Sequence, residues 1–148
     1  MHAISREDFV VSCDRESFQA RVALWVHACF GEMVAGDAEE RNYRFLEEAI
    51  ELVQSCGGTA EDCHQLVDYV FNRPVGESHQ EVGGVMITLA ALCEAQGLDM
   101  DAGGTDELAR VWRKIPEIRA KQATKPLHSP LPGVSPTESN SNNGEGDV

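Results

Sequence analysis

The chain has 148 residues, with 25 acidic side chains against 12 basic ones and a formal net charge of −13. Hydrophobic residues make up 42% of it and charged residues 25%, a globular mixture that excludes collagen, a disordered chain and a bundle of membrane helices. The negative charge argues against a protein that binds nucleic acid through bulk charge, because such domains are usually basic.

The first part of the chain shows the periodicity of helices. Apolar residues recur three or four positions apart from Phe18 to Met33, which predicts a first helix with one inward face. A second helix is predicted to begin near Asp37, with Glu40 completing a capping box, and to stop at Gly57.

Three further helices are predicted from the residues that typically begin and end helices. The third is predicted to start at Thr59 and to end before Pro74, and the fourth to run over residues 78–96 with a glycine as its stop. The fifth is predicted to start near Thr105, with Pro116 breaking or kinking it. No segment alternates with a period of two, so we predict an all-α bundle of about five helices.

Two domain segments are expected. Residues 1–128 form the helical domain, and residues 129–148, rich in proline, glycine, serine and asparagine, form a flexible tail because they have little to bury. The five cysteines include no C-x-x-C pair, which predicts reduced, mostly buried thiols in a cytosolic protein. The longest uncharged stretch, Val82–Cys93, is too short to span a bilayer, and no signal peptide is recognisable.

The second predicted helix carries an acidic arc opposite its apolar stripe. Glu47, Glu48 and Glu51 share this arc, and Arg44 is the only cation one turn away. One interpretation is a solvated acidic face. The other is a site for Mg²⁺ or Mn²⁺, because these ions prefer carboxylate oxygens.

The fourth predicted helix is apolar nearly all round, which favours a central, buried position. Gly83 and Gly84 near its start indicate close approach of another element or a ligand. Glu81 has two interpretations: a metal ligand, or the acidic end of a capping box that starts at Ser78.

The charge changes sign late in the chain. Residues 110–125 hold six of the twelve basic side chains and a single acid, Glu117. These cations either pair with the protein's own acidic surface or hold an anion such as a polyphosphate beside a metal.

The E-E-x-x-E pattern at Glu47–Glu51, followed by Glu81, resembles the MazG-like all-α nucleoside triphosphate pyrophosphohydrolases. The resemblance is strongest to the phage-associated dATP/dGTP diphosphohydrolase branch, which includes MazZ-type dGTP enzymes. Residues 40–52, 66–71, 80–86 and 121–132 carry it. The superfamily has an acid three residues after Glu81, where this sequence has Gly84, and Asp68 and Glu77 are candidates to replace it.

The resemblance implies metal-dependent hydrolysis of a purine deoxynucleoside triphosphate, dGTP or dATP, to its monophosphate and pyrophosphate. Glu47 and Glu48 would then be catalytic, and Mg²⁺ or Mn²⁺ would be held by Glu48, Glu51 and Glu81. The substrate-binding candidates are Arg44, Arg113, Lys121, Lys125 and Trp25, and Trp25 fits core packing as well.

The resemblance also implies a homodimer or homotetramer in the cytoplasm, which would be the host cytoplasm for a phage-encoded protein. No nucleic-acid or membrane partner is expected. The alternatives are a catalytically impaired nucleotide-binding or helical interaction module on the same scaffold, and a structural adaptor whose acidic helix faces solvent.

Overall fold

The computed structural model describes residues 16–125, and within that range it consists of six α-helices without a β-strand. The all-α class is therefore confirmed for this part of the chain. The helices are α1 (Phe18–Ala35), α2 (Ala38–Ser55), α3 (Ala60–Phe71), α4 (Ser78–Gln96), α5 (Met100–Arg113) and α6 (Ile115–Ala123). The predicted tail, 129–148, lies outside the described residues.

Local capping chemistry sets most helix ends where the sequence predicts them. The Asp37 side chain accepts a hydrogen bond from the Glu40 amide at 3.1 Å, and the Thr59 hydroxyl accepts one from the Asp62 amide at 3.2 Å. Helix α4 ends at Gly97, whose φ of 66° is the left-handed conformation that glycine adopts without strain.

The predicted start of the fifth helix is wrong by one turn and a half, because α5 begins at Met100 rather than near Thr105. The Asp99 side chain caps it by accepting from the Ala102 amide at 2.8 Å. Gly104 lies inside the helix, and a Cβ there would stand only 3.0 Å from Phe18 Cζ. The glycine therefore serves close packing of α5 on α1 rather than a loop.

The expected break at Pro116 is confirmed. Lys114 ends α5 and also precedes α6, and the proline lies in the first turn of α6. Proline is tolerated there because its missing N–H has no intrahelical acceptor at that position. Because of this break, the described range contains six helices where the sequence predicts about five.

A second break, inside α1, is absent from the sequence prediction. Gly31 has φ 76° and ψ 174°, a combination that is essentially restricted to glycine. The helix therefore continues only as a short second piece up to Ala35.

The packed core is small. The helix pairs that pack most extensively are α1 with α2, α5 and α6, and α5 with α4 and α6. Cys29, Cys93, Leu108 and the carboxylate-bearing Glu40 are the buried residues of the described range. The chain's contacts thus centre on α1 and α5.

The expectation that α4 is a buried central helix is wrong for the single chain. Met86 is 61% exposed and Ile87 72% exposed, because the extensive packing of α4 is with α5 alone. Within the single chain no other described element approaches Gly83 or Gly84, since a Cβ on each would meet nothing within 4 Å.

The cysteines that the structure describes are free thiols. Cys29 and Cys93 are buried, whereas Cys56 and Cys63 are partly exposed. Within residues 16–125 no single helix is long and apolar enough to cross a membrane, and only α4 and α5 together, bent by 101°, match that length and composition.

Candidate functional site

The acidic arc of α2 acquires a fourth carboxylate from α5. Burial raises the pKa of Glu48, and the negative charges of Glu51, Glu47 and Glu107 raise it further. Glu107 belongs to a different helix, so its influence on Glu48 places the two helices' acidic side chains near each other. The structure therefore brings the three predicted acids of α2 together and adds one from α5.

Two of the predicted cations lie at this same place. Lys125 is only 10% exposed, and its Nζ is 3.9 Å from Glu47 Oε2. Burial lowers the pKa of Lys125, as does the nearby charge of Arg44, while Glu47 opposes both effects. The positive charge of Lys121, by contrast, lowers the pKa of Glu48. Acidic side chains of α2 and basic side chains at the end of the described range thus lie close together.

Arg44 ties the acidic residues of α2 to one another. Its Nε lies 3.3 Å from Glu40 Oε1, and its Nη1 donates a hydrogen bond to Glu47 Oε2. Glu40 is 6% exposed and also accepts a hydrogen bond from Gln122 Nε2 at 3.2 Å. The predicted substrate-binding Arg44 therefore has two carboxylate partners in the protein itself.

Glu107 is the site residue that the sequence does not reveal. Arg110 holds it with a two-pronged contact, Nε at 2.7 Å and Nη2 at 2.6 Å, and this contact lowers the pKa of Glu107. In the sequence the pair looks like an ordinary surface ion pair three residues apart on a helix. Only the packing of the helices shows its nearness to Glu48.

Glu81 stands apart from this group. The helix containing it is capped by Glu77, which accepts hydrogen bonds from the amides of His79 at 3.1 Å and Gln80 at 2.9 Å. The capping box from Ser78 to Glu81 is therefore wrong, because Ser78 is already inside the helix. Instead, the Glu81 carboxylate covers Gly76, where a Cβ would overlap its Oε1.

The single chain does not bring together the three predicted metal ligands, Glu48, Glu51 and Glu81. The pair α2–α4 is not among the extensively packed helix pairs. Within residues 16–125 no group of three or more His, Cys, Asp or Glu side chains is arranged to hold a metal ion.

The remaining candidates differ in their surroundings. Trp25 contacts Phe30 edge to face, with ring centroids 5.6 Å apart, and Arg41 lies over the Phe30 ring at 5.1 Å. This packing favours the core interpretation of Trp25. Arg113 is exposed at the end of α5.

In chemical terms, the α2 face offers carboxylate oxygens for a cation and, 3.9 Å from Glu47, the ammonium group of Lys125 for an anion. Such a mixed-charge surface suits a metal-bound polyphosphate. No protein-family model, curated protein or solved structure matches the chain.

Proposed function

We propose that the protein is a metal-dependent nucleoside triphosphate pyrophosphohydrolase that converts dGTP or dATP to the monophosphate and pyrophosphate. The observation that carries this proposal is the environment of Glu48. Its pKa is raised by partial burial, although the residue remains exposed, and by three neighbouring carboxylates, while Lys121 lowers it. Carboxylates with perturbed proton affinity beside cations are typical of sites that handle charged substrates.

The donor set fits a hard divalent cation. Glu48 and Glu51 are one turn apart on α2 and offer only oxygen ligands, which Mg²⁺ and Mn²⁺ prefer. The crowding that raises the pKa of Glu48 is the charge repulsion that a bound cation relieves. In this proposal Glu48, Glu51 and Glu81 would hold the ion, although the single chain does not bring Glu81 to the other two; the bound ion would supply charge neutralisation and a more acidic water.

Either Glu47 or Glu48 would take up the proton of the attacking water. Glu47 is engaged by Arg44 and lies near Lys125, so it is held beside the cations of the site. Glu48 has a raised pKa in the metal-free protein, and a bound cation would lower it. Lys121, Lys125 and Arg113 would then neutralise the departing pyrophosphate.

We further propose that a second copy of the chain covers α3 and α4. Helix α3 packs extensively against no other described helix, and an isolated helix of its length is marginal in water. Eight apolar side chains on α3 and α4 are each 40–84% exposed, and a standard interface buries about 800 Å² of each partner. The eight are Leu66, Val67, Val70, Phe71, Val82, Val85, Met86 and Ile87.

Among the candidates to cover the exposed apolar side chains of α3 and α4, a second copy of the chain offers an apolar area equal to theirs. Residues 1–15 contain five apolar side chains of this size and residues 126–148 contain four, in each case fewer than the eight that α3 and α4 present. An anionic membrane surface is also unfavourable for a chain of net charge −13.

A nucleotide-binding module without turnover is the second candidate function. It is favoured by Gly84, which stands where the resembling superfamily has an acid, and by the lack of extensive packing between α2 and α4, the helix that carries Glu81.

The experiment that separates the two is a panel of nucleoside triphosphates with Mg²⁺ or Mn²⁺, measured for turnover and for binding. We expect purine deoxynucleotide turnover that Glu48→Gln abolishes. Glu61→Gln is the matched control, because Glu61 is an exposed acid on α3 whose partner is Gln65. Binding without turnover of any triphosphate would establish the module instead.

A further inference from the structure

The break in α1 leaves backbone carbonyls without their usual donors. In a continuous helix, the carbonyls of Ala28 and Cys29 accept from the amides four residues later. Gly31 interrupts this ladder with its φ of 76° and ψ of 174°. Helix ends require other donors for such carbonyls, particularly where the backbone is buried, and Cys29 is the most buried residue of the described range, at 1% exposure.

Arg119 of α6 supplies these donors. Its Nε donates to the Cys29 carbonyl at 2.6 Å, and its Nη2 donates to the Ala28 carbonyl at 2.6 Å. The planar guanidinium suits two parallel hydrogen bonds, and its charge suits the negative end of the first α1 segment. One side chain therefore fastens α6 to a helix 90 positions earlier in the chain.

The fastened segment also reaches the acidic site. Gln122, one turn beyond Arg119, donates to Glu40 of α2 at 3.2 Å. Lys125, three residues further, lies 3.9 Å from Glu47. Contacts thus recur every three residues along one side of α6 and the turn after it. The contact of Arg119 with α1 is the shortest of the three, and both of its hydrogen bonds come from a charged guanidinium.

We propose that Arg119 is a positioning residue: by replacing the donors lost at Gly31, it sets where Lys121 and Lys125 stand beside Glu47 and Glu48. The fastening is a property of the fold alone. Its consequence for catalysis rests on the proposed function, because it concerns the cations assigned to the pyrophosphate.

The fastening is tested by hydrogen exchange on the metal-free, substrate-free protein. Arg119→Met removes both donors and keeps much of the apolar stem, whereas Arg119→Lys keeps the charge and loses the fork. Since a hydrogen bond to a charged group contributes about 1.5–3 kcal/mol, we expect amides of residues 115–125 to exchange at least tenfold faster in the Met variant. The Lys variant should lie between it and the wild type.

The matched control is Arg73→Met, which removes an arginine stacked over the Tyr69 ring, at 5.0 Å, at the end of α3. It should leave exchange of residues 115–125 unchanged. Unaltered exchange of this segment in both Arg119 variants would overturn the fastening. If Arg119→Met speeds exchange throughout the protein, Arg119→Lys decides between local loosening and global destabilisation. Local loosening must speed the exchange of α6 amides more than that of α4 amides.

The catalytic consequence is tested by the split between KM and kcat. Loosening the two lysines should raise KM for the triphosphate severalfold while kcat falls less, with Arg119→Lys again intermediate. Faster α6 exchange with unchanged KM would overturn the positioning role. Absence of turnover in the wild type would refute the proposed function, and the exchange result would still decide whether Arg119 fastens α6.

Discussion

Around Glu48, three neighbouring negative charges raise its pKa and one positive charge, that of Lys121, lowers it. Its pKa is raised by burial and by Glu51, Glu47 and Glu107, so the charged form is disfavoured in the folded state. The charged side chain therefore weakens the fold above the ordinary glutamate pKa of about 4.3. Below that pH, the folded and unfolded states are both protonated and the effect vanishes.

From this sign we predict that Glu48→Gln raises the melting temperature of the metal-free protein near neutral pH. The gain should shrink towards zero as the pH falls below about 4. Thermal melts across this range, with Glu61→Gln as the control, provide the measurement. A melting temperature that falls in Glu48→Gln near neutral pH would show that Glu48 is instead stabilised by its surroundings.

Glu81 provides the second prediction at this scale, because the structure removes its capping role. The α4 cap is Glu77, so Glu81→Gln should leave the melting temperature of the metal-free protein nearly unchanged. As a metal ligand, however, Gln offers one neutral oxygen in place of two charged ones, and most turnover should be lost. Retained metal-dependent turnover in this variant would exclude Glu81 from the site and leave Glu107 as the carboxylate contributed from outside α2.

At the scale of helices, the glycines of the chain divide into those that the backbone requires and those that it tolerates. Gly31 has a conformation essentially restricted to glycine, so Gly31→Ala should lower the free energy of unfolding by about 1–3 kcal/mol. Gly103 is helical and a Cβ there meets nothing within 4 Å, so Gly103→Ala should raise it by about 0.5–1 kcal/mol. Urea denaturation of the two variants should give shifts of opposite sign; equal shifts would contradict the break in α1.

The sequence predicts those helix features whose cause is local. Asp37, Thr59 and Gly97 act on backbone groups a few residues away, and their caps lie where the pattern indicates. The Gly31 break and the start of α5 were missed because glycine signals both loops and close packing. The choice depends on distant partners: Arg119 for the first and Phe18 for the second.

The same reason limits prediction of the site. The acidic arc of α2 follows from helical spacing, and the charges of Glu47 and Glu51 do raise the pKa of Glu48. The nearness of Lys125 to Glu47, and the influence of Glu107 on the pKa of Glu48, arise from how the helices are arranged in space. Spacing along one helix carries no information about such encounters.

At the scale of the whole molecule, the open face of α3 and α4 predicts self-association. Val70→Glu places a charge within the apolar stripe of α3, so it should reduce the molar mass in solution to that of one chain. Gln65→Glu adds the same charge on the opposite side of the helix and should leave the molar mass unchanged. Light scattering after size-exclusion chromatography measures both. An unchanged mass for Val70→Glu would show that this stripe is not the interface.

The central claim, that the protein releases pyrophosphate from a purine deoxynucleoside triphosphate, is tested most directly by hydrolysis of dGTP in heavy-oxygen water with Mg²⁺ or Mn²⁺. Mass spectrometry of the products then identifies the phosphorus that water attacks. We predict dGMP that carries the heavy oxygen together with unlabelled pyrophosphate. Formation of dGDP with labelled orthophosphate, or of labelled pyrophosphate with unlabelled dGMP, would contradict the claim.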